Sequence, residues 1–378
     1  MIRLAIPSID EDDLQAVRDV LVSGFLVQGQ WVRDFEQKVA QLTGMRHAVA
    51  VSNGTAALHL ALLALDVRPG DLVPVTAYSW IATANAIELC GAQPVFVDIE
   101  PDTFNLDPAA LEAAIKRLTA NRETAGRIKA ILPIHAFGQL ANMPEILKIA
   151  CLHGLPVVED AACALGAQLD GKQAGAWATL GTFSFHPRKA ITTGEGGMIT
   201  TNDDTLAWKM RALRNHGLDP AAPAPDFVMP GFNYRMTDFQ AALGASQMKR
   251  LDRLLASRRC LAANYDKLLK GAPVTVPAVA INSEPVYQSY VCLLPPEAAA
   301  SRADLIRKLK QEEIETTIGT WHMPMSSYFR ARYHFRIGDF PATDDVFARS
   351  LSLPIYEGLS AEAQERVVSA LLKHLNRI

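Results

Sequence analysis

Short apolar runs alternate with helical patterns through the first 200 residues of this chain, and this alternation constrains the fold more than any other feature. It predicts an α/β fold in which helices cover both faces of a mostly parallel sheet. Sheets of this kind bind ligands at the carboxyl ends of their strands. The predicted strands are 47–51, 72–75, 94–98, 128–134, 156–159, 181–185 and 197–200, and the predicted helices between them are 55–65, 81–89, 108–118 and 143–153.

The pattern changes after residue 233, where Thr237 and Gln240 match a capping box. We expect one long amphipathic helix from there to about Lys270, leading into a smaller α+β domain with a strand at 287–294 and helices at 301–312 and 360–375. The predicted division is therefore 1–250 for the large domain and 251–378 for the small one.

The N-terminus matches a capping box over Ser8–Glu11, which predicts an amphipathic helix that ends at Gly24. Its apolar face would contain Leu14, Val17 and Leu21. We assign this helix to the large domain, although it is free to pack on the small one.

The bulk composition excludes several classes of function. The net charge is −3 with no long basic block, so we expect no nucleic-acid partner. The five cysteines are scattered and form no CxxC pair, which argues against a disulfide framework or a metal site and favours a reducing cytoplasm. No apolar run reaches about 18 residues, so we expect no membrane span.

Lys189 follows an apolar strand pattern and a Ser184–Pro187 corner, and a glycine turn comes directly after it. This placement suits a lysine held against a carbonyl cofactor, which it would attack as the free amine. The alternative is a surface lysine in an ion pair, since most lysines are solvated.

Asp160 stands at the end of the predicted strand 156–159. A carboxylate there is costly unless it is paired, and the protonated ring nitrogen of pyridoxal phosphate would be a suitable partner. The alternative is that Asp160 caps the next helix.

Two further motifs follow strands. Gly54 and Thr55 begin a helix whose free N–H groups could face a phosphate, with the Ser184 hydroxyl nearby; a plain N-cap is the alternative. Trp80, at a strand-to-helix junction, could stack on a flat cofactor ring, or could simply pack in the core.

Together these motifs resemble the DegT/DnrJ/StrS sugar aminotransferases, which are fold-type I pyridoxal-phosphate enzymes. The most specific matches are the stretches 184–197, around Lys189, and 231–238, and the resemblance covers nearly the whole chain. It implies a large domain with a mostly parallel seven-stranded sheet, a smaller α+β domain, and a homodimer with shared active sites.

The resemblance also implies a role for each site residue. Lys189 would form the covalent link to the cofactor and move the proton, and Asp160 would pair with the ring nitrogen. The remaining positions contact the cofactor: Trp80 on the ring, Gly54, Thr55 and Ser184 on the phosphate, and Asn233 on the phosphate of the other subunit's cofactor.

The chain departs from the family pattern at three places. Cys163 occupies a cofactor-contacting position at which many members carry Gln or His, and Ala190 replaces a frequent Asn after the lysine. The stretch 321–326, which includes His322, stands where the family often shows Pro-Leu-His near the substrate.

The implied reaction is transamination of a nucleotide-linked keto-sugar, expected to be a 4-keto-6-deoxyhexose, with L-glutamate as amino donor. The product would be an amino sugar for a surface polysaccharide. A 3-keto-sugar or a cyclitol remains open as the acceptor, and a non-catalytic regulatory cofactor-binding protein is the alternative outside enzymology. A sugar dehydratase is disfavoured, because such relatives typically replace the lysine with His or bind an iron–sulfur cluster.

Overall fold

The computed structural model describes residues 1–376. Its strands are β1 His47–Val51, β2 Leu72–Thr76, β3 Tyr78–Ser79, β4 Gln93–Val97, β5 Val158–Asp160, β6 Gln168–Leu169, β7 Lys172–Gln173, β8 Leu180–Ser184, β9 Gly197–Thr201, β10 Ser283–Glu284, β11 Tyr290–Leu293, β12 Trp321–His322 and β13 Ser350–Leu353. Its α-helices are α1 Glu11–Ser23, α2 Gln30–Thr43, α3 Gly54–Ala64, α4 Ala82–Leu89, α5 Pro108–Ala120, α6 Met143–Leu152, α7 Asp204–Arg214, α8 Asp238–Met248, α9 Leu251–Leu268, α10 Arg302–Gln311, α11 Ser327–Tyr333, α12 Pro341–Arg349 and α13 Ala361–Leu375.

The central sheet contains all seven predicted strands. Its spatial order is β4, β2, the segment 128–134, β5, β8, β9 and β1. The segment 128–134 joins the sheet through single parallel bridges to β2 and β5 and does not form a continuous ladder. Only β9 runs antiparallel to its neighbours. The predicted α/β class and mostly parallel sheet are confirmed.

Helices cover both faces of this sheet, as the alternation predicts. In β1, Ala48 and Ala50 pack in the core on one face, and Val49 and Val51 pack in the core on the other. The helices α2, α5, α6 and α8 contribute to the first core, and α3, α4 and α7 to the second. Helix α3 is buried around nearly its whole circumference, as its continuous apolar sequence requires.

The predicted long helix after Thr237 is two helices. The capping box of Thr237 with Gln240 is present, but α8 ends at Met248 and α9 begins at Leu251. Arg250, in the break, forms ion pairs with Asp10 at 2.5 Å and Asp13 at 2.6 Å. These ion pairs join residues that are far apart in the sequence and stabilise the break between α8 and α9. The local sequence pattern does not reveal them.

The N-terminal helix also differs from its prediction. Its N-cap is Asp10, which forms the capping box with Asp13, so the box predicted over Ser8–Glu11 is wrong. Leu14 and Leu21 are 55% and 56% exposed, and the helix instead buries Asp13 and Val20 against α8. The ion pair with Arg250 explains why the acidic side chain of Asp13 faces inward.

The C-terminal part contributes to two cores. One surrounds the antiparallel pair β11–β13 and contains side chains of α9, α10 and α13. In addition, Met323, Phe329 and Phe340 join the core around α3 and α4. The division at residue 250 stays a prediction. Within residues 1–376, no helix is long and apolar enough to span a membrane, and the expected cytoplasmic location stays a prediction.

Candidate active site

Asp160 lies at the end of β5 and is 4% exposed. The Thr83 hydroxyl donates to its Oδ2 atom at 2.7 Å, and the Ala162 N–H donates to its Oδ1 atom at 3.1 Å. The second bond closes a local turn, and because no helix follows Asp160 before β6, the capping alternative is wrong. The two bonds use only part of the carboxylate, which can accept about four hydrogen bonds. Among residues 1–376, no Lys, Arg or His forms an ion pair with this carboxylate. A buried anion with only neutral donors suits a cationic ligand group.

Lys189 lies in the loop after β8, close to the same end of the sheet. Its backbone N–H donates to the His186 carbonyl at 2.8 Å, which closes a turn. Its Nζ atom lies 3.1 Å from the Sγ atom of Cys163, three residues after Asp160. Because Lys189 forms no ion pair within residues 1–376, the geometry disfavours the surface ion-pair alternative.

The turn that carries Lys189 is held from the C-terminal part of the chain. The Gln288 side-chain amide donates to the Arg188 carbonyl. Partial desolvation lowers the pKa of the exposed His186 imidazole below its ordinary value, although the Glu195 carboxylate opposes the shift.

Gly54 and Ser184 meet at the start of α3. The N-cap of α3 is Asn53, whose side chain accepts the Ala56 N–H at 2.8 Å. The other N–H groups of a first helical turn lack intrahelical partners and suit an anion. A Cβ atom on Gly54 would lie 2.8 Å from the Ser184 Cβ, so this close approach requires glycine. Thr55, the next residue, is half-buried.

Trp80 follows β3 and is 62% exposed, which disfavours the core-packing alternative. The Thr83 N–H donates to the Trp80 carbonyl at 3.3 Å, so both residues share one turn at the start of α4. Since the Thr83 hydroxyl also bonds Asp160, this turn connects an exposed indole to the buried carboxylate.

Asn233 is exposed, and its side-chain oxygen accepts a hydrogen bond from the Arg235 guanidinium at 3.0 Å. The carbonyl of the adjacent Tyr234 accepts the Ser52 N–H at 2.8 Å. The Asn233 segment therefore lies beside the chain that leads into α3, and its side chain is open to a second subunit. Its predicted role across a dimer stays a prediction.

His322 lies in β12, which pairs with β3 just before Trp80. It is buried, and its Nε2 atom lies 3.0 Å from Oδ1 of Asp344. Burial lowers the pKa of His322, and the Asp344 charge opposes this. Within residues 1–376 its Nδ1 atom has no partner. The neighbouring Trp321 is half exposed, so Trp321, rather than His322, is open to a ligand.

Two residues near the site were missed by sequence reasoning. The sequence motifs assign no role to Thr83, three residues after Trp80, or to Glu159, the last residue of the predicted strand 156–159. The Glu159 carboxylate is fully buried and accepts a hydrogen bond from His135 Nε2 at 2.9 Å. It also accepts hydrogen bonds from the backbone N–H groups of Gly175, Trp177 and Ala178. The alternation of side chains along a strand is the one signal that separates Glu159 from Asp160.

A family model matches residues 7–372, and its description is the DegT/DnrJ/EryC1/StrS aminotransferase family. The chain belongs to this family. The resemblance drawn from the motifs is thus confirmed, and the chain is an aminotransferase.

Similar proteins cover the whole chain. GDP-perosamine synthase of Caulobacter vibrioides is 40% identical over 98% of this chain and 97% of that protein. Spore coat polysaccharide biosynthesis protein SpsC of Bacillus subtilis is 36% identical over 97% of this chain and 95% of its own. Among solved structures, the aminotransferase PseC of Helicobacter pylori, involved in pseudoaminic acid biosynthesis, superposes with a TM-score of 0.92 at 27% identity and covers 100% of both chains.

The family implies pyridoxal phosphate as cofactor, and a solved neighbour, Spr1654 of Streptococcus pneumoniae, is a PLP-form structure. The residues of this chain fit that group. A buried carboxylate without a cation suits the protonated ring nitrogen, and the helix start beside Ser184 suits the phosphate. The amine of Lys189 contacts Cys163, three residues after Asp160, and is the group that would react with the cofactor aldehyde.

Proposed function

We propose that this aminotransferase uses pyridoxal phosphate to move an amino group from L-glutamate to a nucleotide-linked keto-sugar. The proposed acceptor is a 4-keto-6-deoxyhexose, and the product would serve surface polysaccharide synthesis. The observation that carries the proposal is the Asp160 carboxylate, which is buried and, within residues 1–376, accepts hydrogen bonds from neutral donors only. Cys163, three residues later in the chain, contacts the Lys189 amine. The names of the relatives, perosamine synthase and a spore-coat polysaccharide protein, support a sugar acceptor.

When bound, the cofactor supplies an electron sink for negative charge at the substrate carbon. In our proposal, Asp160 would pair with the protonated ring nitrogen, and the Thr83 and Ala162 donors hold its carboxylate in place. Lys189 would remove the proton from the α-carbon of glutamate as a general base, and would later deliver a proton, as a general acid, to the sugar carbon that receives the nitrogen. Trp80 would stack on the ring and exclude water.

Cys163 has a more limited role in this proposal. Its sulfur lies 3.1 Å from the lysine nitrogen and is half-buried, and a sulfur atom is a weak hydrogen-bond acceptor. We propose that the thiol limits the positions that the lysine amine can take while it is free. A larger Gln or His at this position could reach the cofactor directly, which a cysteine side chain does less well.

We also propose a homodimer, in which Asn233 of one subunit completes the phosphate site of the other. The exposure of Asn233 supports this arrangement. The exposed apolar side chains of Leu21, Val22 and Phe25 give further support, since an apolar surface of this kind is typical of an interface.

The test is a two-stage visible absorbance spectrum of the purified protein with pyridoxal phosphate. Glutamate should bleach the band of the covalently bound cofactor, and one nucleotide keto-sugar should restore it. Restoration only by a 3-keto-sugar or a cyclitol would replace the proposed acceptor. If no covalent band forms with added cofactor, the assignment of Lys189 is wrong. A regulatory role, in line with a 37% identical relative named "Pleiotropic regulatory protein", would then replace catalysis.

A further inference from the structure

Thr83 donates the shorter of the two hydrogen bonds that the chain gives to Asp160. The distance from its Oγ1 atom to Oδ2 of Asp160 is 2.7 Å, and Thr83 is 1% exposed. The Trp80 carbonyl is the other acceptor within reach of this hydroxyl, at 3.3 Å. A hydroxyl has one proton, and the shorter contact to a carboxylate is the stronger bond.

The backbone fixes where this hydroxyl can point. The Thr83 N–H donates to the Trp80 carbonyl, and Thr83 lies in the first turn of α4, which is packed against α3 and β4. A β-branched side chain in a helix has few allowed rotamers. The hydroxyl therefore approaches Asp160 from a rigid element, 77 residues away in sequence.

Within residues 1–376, the carboxylate accepts no other hydrogen bond from a side chain. Its other donor is the Ala162 N–H, on the Oδ1 atom. Glu159, the adjacent acid, points to the opposite side of β5, where it bonds His135. Cys163 lies in the turn after β5, and its Sγ atom contacts the Lys189 amine.

We propose that Thr83 is a positioning residue, whose hydroxyl orients the Asp160 carboxylate toward the cofactor ring. This inference rests on the proposed function, in which Asp160 binds the ring nitrogen. The short segment 80–83 would thereby supply both Trp80, which would stack on the cofactor ring, and the Thr83 hydrogen bond, which would orient the Asp160 carboxylate toward the ring nitrogen.

The test measures the dissociation constant of pyridoxal phosphate by equilibrium dialysis. Thr83→Val keeps the shape and removes the donor, so we expect a roughly ten- to hundredfold loss of affinity. Thr83→Ser keeps the hydroxyl and should restore the wild-type affinity.

Thr200→Val is the matched control. It also removes a buried threonine hydroxyl, one that donates to the Gly175 carbonyl at 2.6 Å, away from Asp160. It should lower the melting temperature without weakening the binding of pyridoxal phosphate. If Thr83→Val does not fold, Thr83→Ala removes the donor with a smaller side chain.

A double-mutant cycle with Asp160→Asn separates this inference from the proposed function. If Thr83 acts through Asp160, Thr83→Val causes no further loss in the Asp160→Asn background. An equal loss in both backgrounds would overturn the positioning role and leave only packing. So would wild-type affinity in Thr83→Val while Asp160→Asn binds weakly. If Asp160→Asn itself binds as tightly as the wild type, the assignment of Asp160 fails, and this inference fails with it.

Discussion

At the scale of single residues, two neighbouring acids of β5 have different environments. Glu159 is satisfied by His135 and by three backbone N–H groups. The Nδ1 atom of His135 accepts the Ala141 N–H at 3.2 Å, so its Nε2 atom is the donor to Glu159. Asp160 has two neutral donors and unused acceptor capacity. Glu159 thus has a structural role, whereas the Asp160 carboxylate can still accept a hydrogen bond from a ligand.

Lys189→Ala should separate covalent attachment from binding. We expect the absorbance band of the covalently held cofactor to disappear and transamination to fall by about 10²–10⁴-fold or more, because the general base is lost. Reversible binding should persist, since Asp160 and the helix start beside Ser184 are intact. Equilibrium dialysis and single-turnover kinetics measure the two effects.

Lys148→Ala is the control for this substitution. Lys148 is exposed and pairs only with Glu145, one helical turn away, so its loss should change neither the spectrum nor the rate. Transamination by Lys189→Ala at the rate of this control would show that another group moves the proton.

At the scale of elements, the sequence predicts local structure well, but it does not predict contacts between residues that are far apart in the chain. The strand beginning at residue 197 and the capping box of Thr237 with Gln240 follow from short patterns, and both are present. The break at Arg250 depends on acids about 240 residues away. The bond from Thr83 to Asp160 likewise needs the sheet to form before it can be seen. Local patterns cannot contain such pairings.

The start of α3 offers a test of the predicted phosphate site. Gly54→Ala would place a Cβ atom 2.8 Å from the Ser184 Cβ, and we expect a destabilisation of about 1–3 kcal/mol from overpacking. The displaced Ser184 and helix start should also bind phosphate less well. Urea denaturation and the dissociation constant of the cofactor measure the two effects.

Substitutions at Ser184 show whether the contact itself is responsible. Ser184→Gly removes the atom that clashes, so Gly54→Ala should cost less in that background. Ser184→Ala keeps the Cβ atom and removes only the hydroxyl, so the cost of Gly54→Ala should remain. Equal costs in all three backgrounds would mean that the close approach of Gly54 to Ser184 is unimportant.

At the scale of the whole molecule, the two parts of the chain meet beside the site. β12 pairs with β3, and the buried Tyr78 hydroxyl donates to Ser350 at 2.7 Å and accepts the Thr320 N–H at 3.1 Å. Burial raises the pKa of Tyr78 to about 12, so this phenol stays neutral as a donor at physiological pH. The position of Trp80, two residues later, therefore depends on the C-terminal part of the chain.

The proposed dimer predicts that two inactive variants restore each other. In a mixed dimer of Lys189→Ala and Asn233→Ala subunits, one site contains both substitutions and the other contains neither. Random exchange of subunits makes about half of the dimers mixed, each with one intact site of two. We therefore expect activity near one quarter of the wild type, measured after unfolding and refolding the two variants together.

The outcome distinguishes a shared site from one built within a single subunit. If Asn233 served the site of its own chain, each site in the mixed dimer would contain one substitution, and co-refolding would restore nothing. The separately refolded variants, mixed afterwards, are the control, because they contain the same chains without exchange. The exposed Asn233, bonded only to the neighbouring Arg235 within residues 1–376, is free to reach a partner, so we expect restoration.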